Sequence, residues 1–168
     1  QLGDASRIIK RKFRYTCSFN TVPGPIPEHY VKVAARPQLE VDELEIQFLN
    51  ASTWIPGKAR WQPLNITYID TTDITMKPLY DWVATVYDFQ SYAGGEGPSK
   101  GNLKQGEKKD WLGDCIIRIF DGCGNELEKW ELSNCFPQSI NFGDLDYSRD
   151  DIANITCSLR MDRCILIY

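Results

Sequence analysis

From Phe13 the chain alternates. Phe13, Tyr15, Cys17 and Phe19 stand two apart among polar neighbours, which predicts a first strand. Val22-Pro23-Gly24-Pro25-Ile26-Pro27 ends it, because three prolines have no place in a central strand. Val31 to Leu49 reads as extended, with a bend at Pro37. Leu44, Ile46 and Phe48 share one face there, and Asp42, Glu43, Glu45 and Gln47 supply the polar positions. Trp54 to Trp61 reads as a turn flanked by tryptophans. It connects a hairpin into a strand over 64–70, where Leu64, Ile66 and Tyr68 face the same way. One segment has a helical period, Asp73 to Tyr92. Leu79, Val83, Val86 and Tyr87 form its stripe, Tyr80 and Trp82 widen it, Thr75 is the expected N-cap, and Pro78 is tolerated in the first turn. Such a helix is expected over the open end or outer face of a sheet.

The second half changes texture. Ala93 to Asp110 is rich in Gly and Lys with hardly an apolar residue, and predicts a mobile loop. Asp114 to Phe120 is a strongly apolar strand with Cys115, Ile117 and Ile119 on one face. Asp121 to Asn125 has the composition of a tight turn, which puts Cys123 at an exposed hairpin tip. The chain returns through Leu127, Trp130 and Leu132. Pro137, in Asn134-Cys135-Phe136-Pro137, is expected to stop the pairing because it has no N–H to give. Asn141-Phe142-Gly143-Asp144 is turn chemistry in an acidic, aromatic loop. A long closing strand follows, with Ala153, Ile155, Cys157, Leu159 and Met161 on one face and Asn154, Thr156, Ser158 and Arg160 on the other.

Composition narrows the class. A length of 168 residues predicts one domain over 1–168, able to bury a core, and 42% hydrophobic with 12% aromatic content predicts a folded chain. No apolar run reaches the length of a membrane span, and Gln1 to Lys12 lacks the apolar centre of a signal peptide. The net charge of −4 argues against adhesion to a phosphate backbone. Lys10 to Arg14 carries four basic side chains, read as a solvated edge that blocks strand addition.

Candidate chemistry is thin. The six cysteines contain no C-x-x-C pair, so structural zinc is not expected. Cys115 and Cys157 are in phase with apolar residues and should be buried, whereas Cys17, Cys135 and Cys164 are placed near strand ends or element boundaries. His29 is the sole histidine and reads as a surface residue. The Gly94 region lacks the spacing of a phosphate loop, and no nucleophile elbow or metal-ligand pattern occurs. The reading is a protein that is not an enzyme and needs no cofactor.

Lys129-Trp130-Glu131-Leu132, Cys135-Phe136-Pro137, Asn141-Phe142-Gly143-Asp144-Leu145-Asp146 and the final Leu159-Arg160-Met161-Asp162 resemble the C-terminal half of contractile-phage tail tube proteins. The resemblance extends through Leu44 to Tyr87, and the proline break after the first strand matches it. It implies a mainly β fold, an antiparallel sandwich or barrel with one principal helix and a long hairpin. It also implies a structural virion protein of the tail, assembled in the host cytoplasm into stacked, six-membered rings. The sheath would lie outside, the baseplate and tail terminator at the ends, and DNA would pass without specific binding. Trp54 and Trp61 become candidate subunit contacts. The lumen row is open between Glu43, Glu45 and Gln47 on one strand and Asn154, Thr156 and Ser158 on another. Six cysteines depart from the family, and cross-linking between subunits through Cys123, Cys17, Cys135 or Cys164 is one reading of them. Reduced thiols are the other.

Two alternatives stand beside this. Asn50-Ala51-Ser52, Asn65-Ile66-Thr67 and Asn154-Ile155-Thr156 match the glycosylation pattern, which with six cysteines suits a secreted, disulfide-stapled binding module. Two of the three fall inside expected strands. A baseplate protein that initiates a tube, or the tube of a contractile injection system, would share the fold of the first reading.

Overall fold

A computed structural model describes residues 10–21, 23–72, 76–86, 112–148 and 150–168. Among them are ten strands, one α-helix and one 3-10 turn at Glu28–Tyr30. The strands are all antiparallel. The expected loop over 93–110 lies outside the described residues.

β1 (Tyr15–Thr21) forms where the alternation predicts it, with Cys17, Phe19 and Thr21 facing inward. Phe13 stays outside the strand and is exposed. The proline run does more than end β1. It contributes a three-residue strand of its own, β2 (Gly24–Ile26), at the margin of the sheet, with Pro25 opposite Asn20. A margin is where a residue without an N–H costs nothing to the ladder. Thr21 closes the turn by donating its hydroxyl to the Gly24 carbonyl at 2.6 Å.

β3 (Val31–Ala34) and β4 (Leu39–Phe48) are separated around Pro37, as expected. The next element corrects the sequence reading. Trp54 to Trp61 is not a turn but most of β5 (Ala51–Trp61). The chain reverses at Leu49-Asn50, where Leu49 takes φ 55°. β4 and β5 then pair along their whole length. Val41 faces Ala59 and Glu43 faces Pro56, so β5 carries one extra residue and Pro56 sits at the resulting bulge. This two-stranded hairpin is a sheet of its own, apart from the eight-stranded one.

β6 (Leu64–Ile69) follows, then α1 (Lys77–Val86). Pro78 is the second helical residue, and Leu79, Trp82 and Val83 are the buried stripe. Lys77 and Asp81 pair one turn apart at 2.6 Å. Thr75 and Tyr87 to Tyr92 of the expected helix lie outside the described residues. The helix closes one end of the core. Gly113 of β7 (Gly113–Phe120) admits it, since a Cβ there would stand 3.2 Å from the Trp82 ring and 3.2 Å from the Asn20 carbonyl oxygen.

β8 (Glu126–Asn141) supplies the second correction. Pro137 does not stop it, and the strand runs 16 residues. Its first part pairs with β7 on one side and β10 (Arg163–Ile167) on the other; its last part pairs with β9 (Asn154–Arg160). β9, the expected closing strand, and β10, which the alternation did not predict, follow one another along β8 from Asn141↔Thr156 to Lys129↔Ile167, with a break between them at Met161-Asp162. Asn134, at φ 57°, bends β8 opposite that break and donates its amide to Asp162 at 3.2 Å. Pro137 sits at a second irregularity, before Ser139. A proline at a bulge forfeits no ladder bond.

The strand path β2-β1-β7-β8-β9-β6-β3 therefore folds over on itself without closing. Phe19 of β1 meets Tyr68 of β6 with ring centres 5.8 Å apart, and Trp82 completes the cluster at 6.4 Å. Ile66, Ile117, Leu132, Ile155 and Leu159 fill the rest. Cys115 and Cys157 are buried as the phase predicts. Cys17 and Cys135 are also sealed, inside strands rather than at element boundaries. Cys17 Sγ and Cys115 Sγ are 3.7 Å apart as free thiols. Burial pushes the Cys157 thiol up to about 12; burial, with Asp114 next, does the same for Cys135.

Trp82→Ala is expected to cost about 3–5 kcal/mol of stability in denaturant unfolding, since Trp82 is fully buried and is the largest side chain that the helix puts into that end of the core. A thiol reagent applied to the native protein is expected to modify Cys123 at once, half-buried Cys164 slowly, and Cys17, Cys115, Cys135 and Cys157 only on unfolding. Prompt modification of Cys17 or Cys135 would contradict the core described above.

Candidate functional site

Three surfaces stand out once the core is accounted for. The first is the β4–β5 hairpin. Leu39, Val41, Leu44, Ile46, Phe48, Trp54 and Ile55 are all exposed on it. So much apolar surface on a two-stranded sheet set apart from the main one is of the kind that marks an interaction surface. The structure separates the two candidate tryptophans. Trp54 is 56% exposed toward the hairpin tip, whereas Trp61 lies at the base and packs on the core. Glu43, Glu45 and Gln47 lie on the same hairpin, with Glu45 directly opposite Trp54. Arg60 and Asp42 form an exposed ion pair across it at 3.2 Å.

The second surface is the outer face of β6, β9 and the end of β8. Register partners share a face, and Thr67↔Thr156, Asn65↔Ser158, Ser139↔Ser158 and Asn141↔Thr156 place six uncharged polar residues side by side. Asn154, Thr156 and Ser158 are the middle of this field, with Arg160 at one end.

The third is the seam where the fold fails to close. The lower edge of β1 and the free edge of β3 face one another, spanned by the Tyr15 hydroxyl donating to the Lys32 carbonyl at 2.9 Å. At one end of the seam lies Glu128, 0% exposed. Its carboxylate accepts from Lys10, Arg36 and the Trp130 indole N–H. Burial alone would raise the Glu128 carboxyl. The hydrogen bonds from Lys10, Trp130 and Arg36 outweigh that and hold it below the usual carboxylate value. The basic stretch Lys10 to Arg14 is thus only partly a solvated edge, because Lys10 ties the start of the chain to β8.

The remaining candidates are quiet. His29 is exposed and lies against Tyr30, with ring centres 4.1 Å apart. Cys123 is at the exposed tip of the β7–β8 turn, where Asp121 accepts from the Cys123 and Asn125 backbone amides at 2.7 and 2.9 Å. Those bonds, led by the one from the Asn125 side chain, hold the Asp121 carboxyl below its ordinary value. Among the described residues no three His, Cys, Asp or Glu side chains gather as a metal site, and no helix is long and apolar enough to cross a membrane.

Solved structures share this architecture. A chain of the anti-feeding prophage baseplate superposes with a TM-score of 0.69 at 13% identity, covering 98% of this chain and 97% of that one. The chain carries the tube-type fold of contractile injection systems. A chain of the PVC extracellular contractile injection system sheath–tube complex in its extended state gives 0.68 at 21% identity, over 97% and 94%. Hcp1 from E. coli EAEC 042 gives 0.52 at 13%, over 93% and 92%. No family model matches the sequence, and no curated protein matches it either. This tube-type chain keeps the antiparallel fold, single described helix and long hairpin implied by the resemblance.

Sequence reasoning missed the seam. The only signal for Glu128 was a carboxylate two residues before Trp130, one of many Glu positions on strands. Its partners lie 118 and 92 residues away in sequence.

Glu128→Gln is expected to cost about 1.5–3 kcal/mol at neutral pH, the scale of hydrogen bonds to a charged group. A carboxyl held low in the folded state contributes stability above its unfolded value, near 4.5, and loses it as pH falls through the lower folded value. The wild type should therefore weaken over that acid range, and the Gln variant should show a shallower loss there in pH-dependent urea melts.

Proposed function

We propose that the chain is the subunit of a hollow tube made of stacked six-membered rings, within a contractile particle of the phage-tail kind. The observation that carries this is the β4–β5 hairpin, whose apolar residues are left exposed by the described residues of the fold. The fold likeness supports it over nearly the full length of the chain. In this reading the hairpin, with Trp54 as its anchor, reaches the adjacent ring, and Trp61 holds the hairpin base to its own subunit.

The lumen is assigned to the uncharged field around Thr156 and Ser158 rather than to Glu43, Glu45 and Gln47. The latter row shares the hairpin with Trp54 and is covered when the hairpin engages. An uncharged polar wall in a chain of net charge −4 neither holds nor strongly repels a passing polyanion, so DNA can move through it. Sheath protein outside and baseplate and terminator proteins at the ends complete the particle, which assembles in the host cytoplasm. A ring contact joins unlike patches, so covalent reinforcement would need Cys123 of one copy to meet a different cysteine of the next. Cys164 is the one with any exposure among the described residues.

Electron microscopy of the purified protein is expected to show rings or hollow tubes, and Trp54→Glu is expected to leave rings that no longer stack. Non-reducing gels of the tubes would show a ladder, removed by Cys123→Ser, if the covalent link forms. A compact monomer at every concentration, with or without reductant, would overturn the tube reading.

A further inference from the structure

Two further patches are opposite in charge, and part of each is left exposed: Lys10 and Arg36 are bound to Glu128 and Lys32 donates to Asn154 at 3.2 Å, but no such bond is seen for Arg11 or Lys12 among the described residues. The seam between β1 and β3 opens into two adjoining hollows of about 520 and 680 Å³ that share Lys12, Tyr15 and Lys32. Their apolar floor includes Tyr15, Val33, Ile117 and Ile119, and Lys10, Arg11, Lys12, Lys32 and Arg36 stand around them. Against these five cations the lining holds the carboxylate of Glu28, while Glu128 lies buried, bound to Lys10 and Arg36. The seam is a basic groove with a greasy base.

The loop between β8 and β9 is its converse. Residues 142–152 carry Asp144, Asp146, Asp150 and Asp151 against the single cation Arg149. Leu145 is 92% exposed, Tyr147 is fully exposed, and Ile152 is 63% exposed. The loop is nevertheless held in shape. Asn141 accepts from the Gly143 amide at 2.9 Å, Gly143 takes φ 80° with no room for a Cβ against the Asn154 carbonyl, and Asp146 accepts from the Ser148 amide and hydroxyl at 2.9 and 2.7 Å. Phe142 is stacked on Tyr80 at its base. A loop pinned through Ser148 that points an apolar pair outward among carboxylates is suited to enter something basic and apolar, and none of its described side chains lines the two hollows of its own subunit.

Resting on the ring reading above, we propose that the 142–152 loop of one copy docks in the β1–β3 groove of the next, with Tyr147 and Leu145 over the apolar floor and Asp144, Asp150 and Asp151 among Arg11, Lys12 and Lys32. The contact joins two different patches, so it is heterologous, and in the six-membered ring proposed above, where the rotation closes, it leaves neither patch open. Tyr147 is its central anchor and the charges set register and partner. The occupant is a second copy, because the complementary charge and the complementary apolar pair occur on the same chain.

The test is a charge exchange on the full chain, read by sedimentation velocity and electron microscopy. Asp144→Lys with Asp151→Lys, and separately Arg11→Glu with Lys12→Glu, avoid the groups that hold Glu128 and the Asp146 turn. Each pair alone is expected to weaken association at least tenfold, as is Tyr147→Ala. A 1:1 mixture of the two reversed proteins, or a chain carrying all four changes, is expected to restore it, and raised salt to weaken the wild type. Wild-type rings that persist unchanged in either reversed protein would overturn this contact, leave the tube reading standing, and give the groove to another partner. Association lost in both and not regained in the mixture would also overturn it. A wild type that never leaves the monomer would sink the ring reading and this contact together.

Discussion

The bend in β8 is the constraint on which the rest of the structure depends. A straight strand of 16 residues could serve only one sheet. By turning at Asn134, and again at the Pro137 irregularity, β8 serves two. It carries β7 and β10 along one part and β9 along the other. The two halves of the strand path then face each other, which lets Phe19 on one half meet Tyr68 on the other and gives α1 an open end to plug with Trp82. Bulges and left-handed residues reorient strands at the edges and corners of sheets. Here one such bend converts a long sheet into a two-layered core.

The same bend leaves the fold unclosed. β1 and β3 come near enough for Tyr15 to reach the Lys32 carbonyl, but not near enough to pair. Glu128 takes over part of what a closing ladder would do. It is buried on β8 and draws in Lys10 from before β1 and Arg36 from after β3. A buried charge is tolerated only when bonded on every side, and this one has three donors. Lys10 and Arg36 remain partly in water, so the arrangement works more as a fastening of chain segments than as a large store of stability.

What the fold does not satisfy within itself is as informative as its core. An apolar two-stranded hairpin, an uncharged polar field, a basic seam and an acidic aromatic loop all sit on the surface of the described residues. Monomeric proteins seldom leave so many unlike surfaces open. In the ring proposed above, each but the polar field would be covered by the next copy. A sheet edge left free in the subunit is also harmless once a neighbour covers it.

The sequence by itself determined most of the strands, because alternation with period two records which face is buried. Cys115, Ile117, Ile155, Cys157 and Leu159 were legible for that reason, as were the buried stripe of α1 and the exposed turn at Cys123. It misassigned two stretches that contain proline. Pro56 and Pro137 read locally as strand breakers, yet both sit at bulges where no ladder bond is demanded, and only the pairing partner decides that. The burial of Cys17 and Cys135 depends on which strands fold over them, and a small thiol carries no signal of its own. The acidic, aromatic loop was legible as such, but the ion-bonded Glu128 and the seam belong to tertiary structure alone. Each joins residues many tens of positions apart in the chain, and periodicity reports the face a residue turns to, never the residue it will meet.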